Sequence, residues 1–138
     1  MMTDKAALIC IAPHLARAFY PIVADMLDKG FAVGDEIVPP DLIERLEDKR
    51  MVLWAAVVGE DRPVCACLTE LVKMRSGLYC RITQCGGESL EAWRHLPAGI
   101  EEYARAEGCV KTVLGGREGW ERVLVGYRRT WVTLEKVL

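Results

Sequence analysis

Apolar positions along this chain change period several times, and each change marks an element. Residues 6–12 form a short unbroken apolar run closed by Pro13, the pattern of a buried strand. Leu15, Ala18, Phe19, Ile22, Val23, Met26 and Leu27 then recur on one helical face. Pro21 falls inside that face without an N–H to donate, so a kink or a fresh helix start is expected there. Gly30 is the expected stop. Pro39-Pro40-Asp41 opens a second helix with Leu42, Ile43 and Leu46 as its stripe.

Three apolar runs follow, at 51–58, 64–72 and 78–85, joined by polar turns at 59–63 and 73–77. They predict an antiparallel meander. Gly86-Gly87 is expected to break the third strand, and Glu88 or Ser89 to cap a helix carrying Leu90, Trp93, Leu96, Ile100 and Tyr103. Pro97 inside that spacing predicts a bend or interruption, and Gly108 the stop. Residues 109–114 read as a strand closed by Gly115-Gly116. Trp120, Val123, Leu124 and Tyr127 suggest a short helix, and 130–138 alternates as a terminal strand. The order β-α-α-β-β-β-α-β-α-β predicts an α/β (α+β) domain, its mixed, mostly antiparallel sheet covered by helices on both faces.

Composition narrows the class. One domain of 138 residues, 51% hydrophobic and 28% charged, buries about two-thirds of its extended surface and is no disordered tail. Eighteen basic against 20 acidic residues leave a charge of −2, too acidic for a general nucleic-acid binder. No apolar run reaches membrane-span length, and Met1 to Ile11 has no basic leader region, so a cytoplasmic protein is expected. Six cysteines lack zinc-knuckle spacing and mostly occupy apolar runs, which suggests buried reduced thiols and no metal site. From Asp25 to Arg50, eight acidic residues face four basic ones, a mildly negative solvated side. Trp131, Val132, Leu134 and Val137 put large apolar groups on both faces of the last segment. An edge of that kind is normally covered, so self-association through the C-terminal segment or the last helix is expected.

Two stretches carry a resemblance: Thr-Gln-Cys-Gly-Gly-Glu-Ser at 83–89, and Gly-Gly-Arg-Glu-Gly-Trp-Glu-Arg-Val-Leu-Val-Gly-Tyr at 115–127. With the element order, they resemble the GNAT superfamily of acyl-CoA-dependent N-acyltransferases over the whole chain. The string from Gly116 also looks like a variant found in small GNAT-like proteins of bacteriophages and prophages. The resemblance implies an acetyl-CoA or other acyl-CoA cofactor, with its pyrophosphate held by free N–H groups where a glycine turn opens a helix. Gly86, Gly87, Glu88 and Ser89 would be the donors, with Gln84 just before them. The adjacent glycines and Glu88 depart from the family's pattern, and a carboxylate at Glu88 opposes a dianion if it faces the site.

Family enzymes often protonate the leaving thiolate with a Tyr of the short helix. Here Arg122 stands near that place. An arginine keeps its proton, so it would act electrostatically; Tyr127 is the alternative donor. Glu70, in the second meander strand, is the candidate base for a small or protein amine, and His14 could approach the same cleft. Two functions stand side by side. One is acyl transfer to an amine. The other is a catalytically silent scaffold serving a virion, its assembly or a host contact. A DNA-acting modifier ranks below both, because Glu118 and Glu121 offset Arg117, Arg122, Arg128 and Arg129.

Overall fold

A computed structural model describes residues 6–59, 62–88, 96–116 and 120–138. Strand β1 (Ala7–Ile11) leads through a single 3-10 turn (Pro13–Leu15) into α1 (Ala16–Val33) and α2 (Leu42–Glu47). The meander is β2 (Met51–Val58), β3 (Arg62–Met74) and β4 (Gly77–Gly87). Helix α3 (Leu96–Ala106), β5 (Lys111–Leu114) and the short α4 (Trp120–Val123) complete the described elements. The sheet runs β1-β2-β3-β4-β5, antiparallel throughout except for the parallel β4–β5 pair. The mixed, mostly antiparallel sheet expected from the periodicity is therefore present.

Strand alternation sorts the apolar residues into two cores. Met51, Leu53 and Ala55 of β2 join Ala66 and Leu68 of β3 beneath Val23, Leu27 and Phe31 of α1. The residues between them, Trp54 and Ala56, join Cys65, Cys67, Cys80 and Ile82 beneath Leu96, Ile100 and Ala104 of α3. One face thus belongs to α1 and α2 and the other to α3, the outcome of period 2 meeting period 3.6. On the second face Trp54 donates its indole N–H to Thr69 Oγ1 at 2.9 Å and meets the Tyr103 ring edge-on at 5.1 Å.

Helix α1 runs unbroken through both Pro21 and Gly30. Pro21 is exposed, and the fully buried Val23 and Leu27 hold the flanking turns on the sheet. Gly30 is no stop because its bareness serves contact: a Cβ there would lie 2.7 Å from the Cys85 carbonyl oxygen. Likewise Gly86-Gly87 do not break β4 but belong to it. Pro97 lies within the helical Leu96–Ala106 span, which runs on past it to Ala106 without a break. Leu90, Trp93 and Ser89 lie outside the described residues, as do His95 and Arg117.

The predicted terminal strand does not form. Residues 128–138 carry no strand, and Trp131, Leu134 and Val137 are about nine-tenths exposed. Alternation supplies the tendency, but a strand exists only where a neighbour takes its hydrogen bonds. Of the cysteines, Cys65, Cys67 and Cys80 are buried and Cys85 and Cys109 half-buried, all as free thiols; Cys10, expected inside, is exposed.

Candidate active site along the open end of β4

Strands β4 and β5 pair only from Tyr79–Lys111 to Ile82–Leu114. Strand β4 continues for five more residues, to Gly87, and among the described residues no strand lies beside that stretch on the β5 side. Strand β5 ends at Leu114, and the side of β4 left open beyond it is the gap. The gap begins at a bulge. Leu68 faces Gln84 and Thr69 faces Ile82, so Thr83 is an extra residue in β4, and its hydroxyl donates to the Leu68 carbonyl at 3.3 Å. A bulge re-aims the residues after it.

Ladder alternation fixes where the backbone of this stretch points. The Glu88 N–H donates to the Val64 carbonyl at 2.9 Å. Stepping back by two, Gly86 is likewise turned to β3, whereas Cys85 and Gly87 direct their N–H and C=O groups away from β3 and into the gap. The Cys67 and Cys85 thiols meet at 2.9 Å across the ladder, as side chains of such a non-bonded pair do. Burial, then the Cys67 neighbour, pushes the Cys85 thiol up, and burial does the same at Cys65, so these are inert thiols.

The residues expected to bind a cofactor are distributed differently from the sequence expectation. Gln84 is buried on the α1 face, where its amide donates to Glu36 Oε2 at 2.9 Å. Gly86 is bare because a Cβ would run into the Met26 carbonyl of α1, and Gly87 because one would run into Cys65 and Val64 of β3. The N–H of Glu88 is spent on β3, which corrects its expected role as an anion donor. Its carboxylate instead pairs with the exposed Arg62 at 2.9 Å. The gap-facing donors are thus Cys85 and Gly87; Cys85 went unnoticed because no side-chain chemistry flags a backbone donor.

The expected catalytic residues also have partners. Glu70 lies on the α1 face opposite Arg81 and pairs with it at 2.7 Å. Its carboxylate is committed to a guanidinium rather than left open as a base. Tyr127 follows α4, and its hydroxyl donates to Glu101 Oε2 at 3.0 Å while lying 2.6 Å from Thr112 Oγ1. Burial and the Glu101 carboxylate push this phenol up to about 12, against the relief from Thr112. It therefore keeps its proton, held between α3 and β5 two residues before β5 ends. Glu101, its partner, was missed because an acidic helix residue reads as solvated surface. Arg122 is exposed on α4, and His14 is exposed in the turn after β1. A cavity of about 280 Å³ opens at the other end of the sheet, among Met51, Leu71 and Tyr103, and is separate from the gap.

No family model and no curated protein matches the sequence. The fold has close counterparts among solved structures. The aminoglycoside acetyltransferase meta-AAC0020 from an uncultured soil metagenomic sample superimposes with a TM-score of 0.73 at 9% identity, over 96% of each chain. A predicted acetyltransferase with acetyl-CoA from Clostridium acetobutylicum gives 0.64 at 13% identity, over 95% of this chain and 96% of that one. A GNAT family acetyltransferase from Staphylococcus aureus gives 0.64 at 15%, over 97% and 99%. The chain has the GNAT acetyltransferase fold. Among the described residues no helix is long and apolar enough to cross a membrane.

Proposed function

We propose that the protein is an acyl-CoA-dependent N-acyltransferase that binds its cofactor along the exposed edge of β4 between Cys85 and Gly87. The observation that carries this is the gap itself: β4 outruns β5 by five residues, and among the described residues no neighbouring strand takes the alternate backbone groups there. An extended chain of amides, such as the pantetheine arm of acyl-CoA, can take those groups as an added strand would. When bound, the cofactor supplies an activated thioester carbonyl.

This chain's residues would do the rest. The acceptor is a small or protein amine, and a cationic one suits the acidic surplus between Asp25 and Arg50. The aminoglycoside acetyltransferase among the similar folds makes a polycationic sugar a reasonable first acceptor to test. Transfer forms a C–N bond, breaks a C–S bond and moves one amine proton to the departing thiolate. Tyr127, protonated far above neutral pH and hydrogen-bonded to Thr112 of β5, would be the proton donor, and the exposed Arg122 of α4 an electrostatic aid.

A second function has its own support. Glu70, Tyr127 and Glu88 are all engaged by partners within the chain, which suits a catalytically silent scaffold of phage type. Calorimetric titration with acetyl-CoA, followed by backbone amide NMR, separates the two. We expect saturable micromolar binding, with the largest shifts at Cys85 and Gly87. Absence of heat at millimolar ligand overturns the acyltransferase function in favour of the scaffold. Binding that leaves those two amides unshifted overturns the β4 site.

A further inference from the structure

We propose that the cavity at the far end of the sheet from the β4 gap binds a free α-amino acid with an apolar side chain, its carboxylate on Lys49 and its ammonium on Glu107. The cavity follows from strand lengths. Strand β1 ends at Ile11, opposite Leu53, and the chain turns away at Pro13. Strand β2 begins two residues before Leu53, at Met51. Met51 and Val52 therefore have β3 on one side and, among the described residues, no strand on the other. Where the sheet lacks a strand, nothing separates its two faces. Leu46 and Met51, from the core under α1, share the cavity wall with Val52 and Tyr103 from the α3 side.

The space holds about 280 Å³. That is the small end of ligand cavities and suits an apolar side chain the size of leucine or phenylalanine. Two opposite charges, Lys49 and Glu107, line it as well. Among the described residues neither belongs to an ion pair, with the other or with any third group. They share a cavity without closing on each other, an arrangement that a zwitterion bridges. By alternation, one of Met51 and Val52 also turns its N–H and C=O toward the missing neighbour, a donor and an acceptor for the same two ends.

Lys49 carries an independent mark. It follows α2 in the left-handed region, with φ +68°. Its N–H donates to the Leu46 carbonyl at 3.4 Å and closes the helix end. Glycine or asparagine is the ordinary residue at such a closure, because other side chains are strained there. Lysine adds nothing to the closure itself. Strain of this kind persists where a side chain has work to do, and this side chain lines the cavity. Glu107 is fixed from the other face. It follows α3, its N–H bound to the Tyr103 carbonyl at 3.0 Å. Burial, then the Glu107 carboxylate, pushes the Tyr103 phenol up to about 12, so that carboxylate stands near the ring that Trp54 holds edge-on.

Backbone amide NMR of the full chain, titrated with L-leucine, L-phenylalanine, 4-methylpentanoate and 3-methylbutylamine, tests this. The last two keep leucine's side chain and one charge each. Leucine or phenylalanine should bind saturably, with a dissociation constant on the order of 0.1–1 mM, in keeping with so few ligand atoms. The shifts should centre on Met51, Val52 and Glu107. Each one-charge analogue, and leucine on Lys49→Gly or on Glu107→Gln, should bind at least about tenfold more weakly. Lys49→Arg should bind as the native chain does, and Lys49→Gly should melt no lower, since glycine relaxes the left-handed position. Absence of shifts at about 10 mM of both amino acids overturns the proposal. So does equal binding of leucine and either analogue, or a Lys49→Gly chain that binds undiminished or melts lower. Shifts confined to Cys85 and Gly87 overturn it too, by placing the amino acid in the gap as an acceptor. The titration contains no acyl-CoA, so its outcome stands whether or not the protein is an acyltransferase.

Discussion

Gly86 and Gly30 are bare for the same reason: α1 and β4 approach so closely that neither has room for a methyl group. A Cβ on Gly86 would enter the Met26 carbonyl, and backbone cannot rotate aside as a side chain can. Gly86→Ala should therefore cost at least about 3 kcal/mol, an overpacking penalty at the upper end of the usual range. Urea unfolding would read this, and a loss below about 1 kcal/mol would show that α1 can slide. The glycine pair was legible in the sequence as special, but not the reason, because a turn and a close crossing select the same residue. Glu70 and Tyr127 were legible as polar groups in apolar company. Their partners, Arg81 and Glu101, were not, since the first depends on strand register and the second on a helix docking across β5.

Among the elements, α1 shows how packing overrides a local signal. Pro21 removes one helix hydrogen bond and should have ended or bent the helix. Buried Val23, Leu27 and Phe31 carry it onward. Pro21→Ala should restore that bond and stabilise the protein by about 1–2 kcal/mol, the helix gain being partly offset by a more flexible unfolded chain. The midpoint of thermal unfolding would rise accordingly; a fall would mean that the proline shapes the crossing of α1 over the sheet. Strand identities and order were readable because their runs are bounded by turn residues. The end of β4 was not, because Gly86-Gly87 looks like a break when β3 is not there to pair with it. The last segment was read as a strand from alternation alone, which specifies a face but not a neighbour.

At the scale of the whole molecule, the α3 face sets an alkaline limit. Burial pushes Cys80, Tyr103 and Tyr127 each up to about 12, from ordinary values of 9.0, 10.0 and 10.0. Each is neutral while it holds its proton, and folding raises the pH at which it lets go. Their contribution is complete below about pH 9 and is lost as pH climbs toward 12, because the unfolded chain releases these protons first. Urea midpoints should fall steadily between pH 9 and 11.5, and Tyr127→Phe should flatten the upper part of that fall. A level profile would mean these groups ionise as readily folded as unfolded. The extra residue at Thr83 has a different kind of consequence, one of counting. It sets the parity by which Gln84 and Gly86 meet α1 while Cys85 meets the other core. Were Thr83 taken into regular alternation instead, Ala66 would face Cys85, bringing Gln84 under α3 and the Cys85 side chain into the space that Gly86 leaves for Met26. One residue that the ladder does not count thus decides that a glycine, and not a cysteine, meets α1.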